Sequence, residues 1–176
     1  MVTKDQQQWF DHLSNTDKVI IVPWDPLAEV KFLQIKNQIQ DLLGTQQAVE
    51  HRGASSFKIS GQDEIDIYIP VPKDKFDQTV NSITSLYGNP KSSYSLKRAR
   101  FVTSIENKHI DVFVINREDK GWLDSEIFNN YLLSNPVILD RYRILKERLS
   151  GESVRNYYKE KIEFINEILD RVKLGR

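Results

Sequence analysis

Glu64 and Asp66 stand one residue apart in the run Glu64-Ile65-Asp66-Ile67-Tyr68-Ile69, which follows the small-residue segment His51-Arg52-Gly53-Ala54-Ser55-Ser56. These residue types, in this order, suit phosphate and metal chemistry. Side chains alternate across a strand, so Glu64 and Asp66 share one face while Ile65, Ile67, Ile69 and Val71 occupy the other. A second run, His109-Ile110-Asp111-Val112-Phe113-Val114, repeats the design with His109, Asp111 and Phe113 on one side. If the two runs are neighbours, three carboxylates converge. Phosphoryl and nucleotidyl transfer need a divalent cation, because charge develops on the attacking and leaving oxygens. Mg²⁺ takes hard oxygen ligands and keeps waters, which makes Glu64 and Asp66 the first ligand candidates. Asp111 is the third, either as a ligand or as acceptor of the proton from an attacking hydroxyl. These three are also the candidate catalytic residues.

The preceding turn offers a complementary function. Gly53 permits close backbone approach, and Ser55 and Ser56 carry hydroxyls and N–H groups that can hold phosphate oxygens. Lys58, Arg98 and Arg100 are possible cationic partners, Arg100 being the favoured bidentate one if its face is the acidic one. Plainer readings stand beside these. An E-x-D on a half-exposed strand is often a solvated polar face, and Arg98 and Arg100 can be edge-strand charges that discourage aggregation. His51 and His109 are expected to hydrogen-bond or pack, since Mg²⁺ sites favour oxygen.

The elements that must position these groups are legible from periodicity. Trp9, Phe10 and Leu13 allow a short amphipathic helix in an accessory arm over residues 1–17. An apolar run over 19–22 ends at Pro23, and Asp25-Pro26 supplies a helix start: an N-cap acceptor, then proline at the first helical position. Leu27, Val30, Ile35, Ile39 and Leu42 mark a helix over 26–43, closed by Gly44. Gln46 to Glu50 is a weak strand candidate. Phe76, Val80, Ile83 and Tyr87 mark a second helix, over 73–87, ending at Gly88. The order to this point reads strand, helix, strand, helix. Lys91 to Ser95 reads as a mobile loop tip, and Tyr94 to Ile105 as a strand with Arg98, Arg100 and Val102 on one face. Asn107-Lys108 is the tight link to the 109–114 strand, making a hairpin. From 117 onward three helical stripes follow, divided at Asn135-Pro136 and at Gly151-Ser153, the first of them, from Trp122 to Leu132, reading as core.

Bulk properties narrow the classes. At 176 residues the chain suits one compact unit: the arm, a core over 18–116, and a helical portion over 117–176 packed on it. Composition is 39% hydrophobic and 28% charged, which argues against disorder. Lysine plus arginine equal aspartate plus glutamate at 25 each, so zero net charge disfavours large nucleic acids as partners. Without cysteine there is no disulfide, thiolate ligand or thiol nucleophile. No apolar stretch is long enough for a membrane span and the amino terminus lacks a signal-peptide core, so a cytoplasmic location is the expectation.

In order and spacing, Val22-Pro23-Trp24-Asp25-Pro26, Glu50-His51-Arg52-Gly53-Ala54-Ser55, Ile65-Asp66-Ile67 and Phe128-Asn129-Asn130-Tyr131-Leu132 resemble the GrpB family, a group assigned to the nucleotidyltransferase superfamily. Asn135-Pro136, Tyr142, Leu145-Lys146 and the segment Tyr157-Tyr158-Lys159-Glu160-Lys161 extend the resemblance to about residues 18 to 170. It implies an α/β (α+β) fold: a nucleotidyltransferase-like mixed sheet flanked by helices, with a C-terminal helical extension. The superfamily pattern of a Gly-Ser turn, two acidic residues one apart and a later third acidic residue falls on Gly53, Ser55, Glu64, Asp66 and Asp111. Two departures stand out: Ala54 replaces a usual serine, and the segment leading to Asp66 is shorter. GrpB-like sequences often carry histidine where Asp111 stands, so this chain is nearer the wider catalytic pattern. The implied activity is Mg²⁺-dependent transfer of a nucleoside monophosphate from a nucleoside triphosphate to a hydroxyl acceptor. The alternative is a noncatalytic nucleotide- or coenzyme-related binding module. GrpB-like domains occur fused to dephospho-CoA kinase, which points to coenzyme A biosynthesis. A third reading is an interaction protein whose C-terminal helices recruit a partner.

Overall fold

The structure, a computed structural model, describes residues 2–175. Its elements in chain order are α1 (Lys4–Asp11), α2 (Ala28–Leu43), β1 (Glu50–Arg52), α3 (Gly53–Ser56), β2 (Glu64–Val71), α4 (Phe76–Tyr87), β3 (Ser92–Tyr94), β4 (Arg98–Ile105), β5 (Lys108–Asn116), α5 (Lys120–Ser134), α6 (Pro136–Arg148) and α7 (Val154–Lys173). The fold is mixed α/β. The chain divides into two units, one of Met1–Val22, Ser60–Gln62 and Asp124–Arg176, the other of Pro23–Ile59 and Asp63–Leu123. The boundary that the sequence pattern suggests after residue 116 therefore lies after Leu123.

The second unit holds the sheet, in the order β1-β2-β5-β4-β3. β2 and β5 run parallel, and every other neighbour pair is antiparallel. Burial along β2 alternates at every residue, with Ile65, Ile67, Ile69 and Val71 inside. These pack with Ala99 and Phe101 of β4, Ile110, Val112 and Val114 of β5, and the apolar stripes of α2 (Phe32, Ile35, Ile39) and α4 (Phe76, Ile83). Each such side chain contributes about 1.5–3 kcal/mol by leaving water. One sheet face is thereby committed to core, and the alternate residues go to the other.

Several local expectations are revised. The 19–22 run forms no strand of the sheet; it makes one single bridge, Val22 with Gly61, and Lys18 just before it makes another, with Ser153. The weak strand before the turn is shifted to Glu50–Arg52. Residues 91–95 are not simply a loop tip: Ser92–Tyr94 is the short edge strand β3, paired with Arg98–Arg100. That pairing makes β4 an interior strand, so its arginines do not guard an edge. The β4–β5 turn is Glu106-Asn107, both at positive φ (50° and 65°), which suits a two-residue hairpin turn, and Lys108 already belongs to β5.

Helix α2 starts at Ala28, two residues later than proline at the first helical position would give, because Asp25 makes a turn of its own: its Oδ1 accepts from Leu27 N–H at 2.8 Å and its carbonyl accepts from Ala28 N–H. The other carboxylate oxygen, Oδ2, meets Lys31 at 3.2 Å and Lys108 at 3.0 Å. Lys108, nearly buried, also pairs with Asp63. This ionic knot ties the start of α2 to the first residue of β5.

In the first unit, α1 is bonded to α7 through Gln6 and Asn166, and Arg155 donates to the carbonyls of Asp11 and Leu13. Phe10 is buried, and Trp9 meets Tyr158 edge-on. These contacts give the first residues a fixed place on a helix. α7 begins with a Ser153 cap accepting from Asn156 N–H, and Val19, Leu149 and Tyr157 form a small core. No helix among the described residues is long and apolar enough to cross a membrane.

The Leu27 N–H bond, followed by the two lysines and against burial, holds the Asp25 carboxyl down at about 2 from its ordinary 3.8. A depressed carboxyl contributes stability above the ordinary value and loses it as pH falls through the folded one. Asp25→Ala should therefore cost on the order of 1 kcal/mol at neutral pH, through the lost Leu27 N–H bond and the screened lysine pairs. Urea midpoints should show that penalty shrinking between pH 3.8 and about 2; an undiminished penalty at the acid end would remove the ionic contribution.

Candidate metal and phosphate site

The parallel register places Glu64 opposite His109 and Asp66 opposite Asp111. All four belong to the sheet face turned away from the α2/α4 core. Glu64, His109 and Asp111 bring one ligand atom each within 4.8 Å of one another, a group able to hold a metal ion. Two carboxylates and an imidazole are a suitable donor set for a divalent cation, and the imidazole widens the choice beyond Mg²⁺ to metals that accept nitrogen. Asp66 lies outside that three-residue group.

Asp66 is instead pressed against the turn. Gly53 has φ +72°, and a Cβ there would overlap the Asp66 Oδ2 and lie 3.1 Å from its Cγ. Glycine is required twice over, by backbone conformation and by space. The turn itself is the short helix α3, so residues 53–56 are helical and not loop. Within it Ser56 Oγ donates to the Gly53 carbonyl at 2.8 Å, which turns that hydroxyl inward. Ser55 Oγ lies 2.8 Å from His51 Nε2. Lys58 is exposed, at φ +58°, with its ammonium 5.9 Å from the Trp24 ring centroid.

Asp111 is nearly buried, and its Oδ1 meets both His109 Nε2 and Arg100 Nη2 at 3.0 Å. Arg100 thus lies on the acidic face, and its side chain stays 35% exposed, which leaves it reachable by a ligand. Arg98 lies over the rings of Tyr94 and Phe113 and takes no part in the carboxylate group. Farther along the same face Phe113, Ile115 and Trp122 cluster with Tyr68, so the Trp122 end of that stripe is core as the pattern suggested.

Two residues gain roles that the pattern did not assign. Arg52 pairs with Asp66 across β1 and β2, bonds the Glu50 carboxylate through Nε at 2.9 Å, and stacks 4.9 Å from the Trp122 ring. Its position after His51 on a strand of alternating faces was the available signal. His51 hydrogen-bonds and packs as expected, stacking on Phe32 at 4.8 Å and 18°, but it also links Glu29 to Ser55. His109 shares a face with Asp111 in the sequence pattern; only the β2–β5 pairing brings Glu64 to it.

Gly53→Ala should cost about 1–3 kcal/mol from the strained φ alone, with a further cost for moving Asp66. Thermal unfolding of the variant checks the first part, and the chemical shift of the Asp66 carboxyl carbon checks the second. An unperturbed Asp66 would mean that the close approach does not set its position.

Residues 18–171 match the family model described as GrpB protein. No curated protein matches the chain. Its fold is similar to the crystal structure of the conserved protein GrpB from Enterococcus faecalis, with TM-score 0.68 and 21% identity over 87% of this chain and 99% of that one. At that identity the likeness speaks for the fold. The family match, over nearly the whole length, is what settles membership: the chain belongs to the GrpB family.

Proposed function

We propose that the protein is a divalent-cation-dependent nucleotidyltransferase that moves a nucleoside monophosphate from a nucleoside triphosphate to a hydroxyl acceptor. The observation that supports this most is the register of β2 on β5, which gathers Glu64, His109 and Asp111 beside Asp66 and the Gly53 turn. Glu64 and Asp111, with Asp66 adjoining and His109 as a fourth donor, would hold the cation, Mg²⁺ in the first instance. Such an ion, when bound, supplies positive charge at the phosphate oxygens.

The chain's own groups do the rest. Gly53 lets the Asp66 carboxylate lie against the turn, and Ser55 offers the hydroxyl that would hold a phosphate there. Arg100 carries a planar, exposed guanidinium able to bond phosphate oxygens in pairs. Lys58 adds an exposed charge at the end of the turn. Asp111 is a poor candidate for a free base while Oδ1 already meets His109 and Arg100, so its first role is as ligand.

That pairing also favours a second reading. With Asp111 neutralised by Arg100 and the Ser56 hydroxyl turned inward, the site can serve as a noncatalytic nucleotide- or coenzyme-binding module. Cation dependence separates the two. Nucleoside triphosphate titrated calorimetrically into wild type should bind with Mg²⁺ and not with chelator. Asp66→Asn and Asp111→Asn should weaken that binding by about 10- to 100-fold or more, while circular dichroism shows both variants folded. Pyrophosphate release in an acceptor screen would mark the enzyme. Binding indifferent to chelator and to both substitutions would move the assignment to the binding module.

A further inference from the structure

Glu29, from α2, forms a continuous hydrogen-bonded chain with His51 and Ser55 at the edge of the phosphate turn. Glu29 Oε2 lies 3.0 Å from His51 Nδ1, and His51 Nε2 lies 2.8 Å from Ser55 Oγ. Phe32 stacks on the imidazole and fixes its plane, and β1 pairing opposite Ile67 fixes its backbone. Hydrogen counting limits what such a chain can do. An ionised Glu29 only accepts, so Nδ1 must carry a hydrogen. In a neutral imidazole Nε2 is then a lone pair, and the single Ser55 hydrogen is spent on it. Ser55 can then offer nothing but lone pairs to a ligand.

A phosphate group in its fully ionised form also presents only acceptors. Ser55 can donate to it and still keep its bond to His51 only if Nε2 brings a hydrogen of its own. We propose that Glu29 and His51 are positioning residues for the phosphate held by Ser55, and that binding takes up one proton: His51 becomes imidazolium, donating from Nδ1 to Glu29 and from Nε2 to Ser55 Oγ, while Ser55 donates to the phosphate. No covalent bond forms or breaks. This rests on the reading of the Gly53–Ser56 turn as the phosphate cradle.

The surrounding charges agree with the direction. Glu29 is the charged group in contact with the ring; Lys36 of α2 sits over the far partner of the stack, 5.9 Å from the Phe32 ring; β2 opposes His51 with apolar Ile67, and its Asp66 lies against Gly53. Burial holds the free imidazole below its ordinary 6.5, partly offset by Glu29, so without ligand it is neutral at neutral pH. An anion added at Ser55 favours the charged ring. Affinity therefore rises as pH falls through the ligand-bound value and levels off below the free one, by about tenfold per pH unit between them.

The test uses Mg²⁺ and ATP as probe, titrated into the full chain by calorimetry at about pH 5.5 to 8, in buffer pairs of different ionisation enthalpy. Wild type should take up close to one proton more than His51→Gln, whose amide N–H can donate to Ser55 but does not titrate. His51→Gln should still bind, with only the pH dependence of the nucleotide itself. In unmodified protein, NMR titration of the His51 ring should show its pKa rising when the probe binds. Equal proton uptake in both proteins, or an unmoved His51 pKa, overturns the inference while leaving phosphate binding intact. A nucleotide mass covalently on Ser55 overturns the positioning role in favour of a nucleophile. Absence of binding by wild type at every pH overturns the cradle reading itself, and the inference with it.

Discussion

The parallel pairing of β2 with β5 is the constraint on which the site depends. One residue of slip would turn Asp111 away from Asp66 and toward the α2/α4 core, because side-chain direction has a period of two. Ile65, Ile67 and Ile69 on one strand and Ile110, Val112 and Val114 on the other hold that register, since every one of them is fully buried. The apolar face thus determines where the polar face points. The Lys108 knot with Asp25 and Asp63 pins the first residue of β5 at the end where Glu64 begins β2.

An acidic face in a packed protein needs compensation. Asp111 is nearly removed from water, and an unpaired buried carboxylate would be costly. Arg100 and His109 meet the same oxygen, so the folded chain can carry Asp111 without a cation. Arg52, buried beside Trp122 and bonded to Glu50, brings a further positive charge to the row that contains Asp66. The charge of Asp111 is therefore compensated within the chain itself.

Much of this was legible in the sequence because it rests on local periodicity. The alternation in 64–69 and 109–114 named the right face for each carboxylate, and Asn135-Pro136 and Gly151-Ser153 divided the last three helices where the structure divides them. What was not legible depends on pairing or on distant partners. His109 becomes a possible ligand only beside Glu64 of another strand. Glu29 reaches His51 from a separate helix, 22 positions away. Ser92–Tyr94 is polar enough to read as loop and becomes a strand only because β4 offers it an open edge.

Ala54 shows how the structure alters the weight of a sequence departure. A missing serine after the glycine suggests a weakened phosphate cradle, yet the hydroxyl linked to His51 comes from Ser55, and Ser56 is turned inward by its bond to the Gly53 carbonyl. The side-chain contribution of the turn then falls on one hydroxyl with one hydrogen. In the proposed phosphate cradle, the protonation of His51 would direct that hydrogen to a ligand or to the imidazole, and Glu29 would set the tautomer of the neutral ring. With Ala54 contributing no hydroxyl, a phosphate cradle at this turn would have fewer side-chain donors and would depend more on the residue behind it.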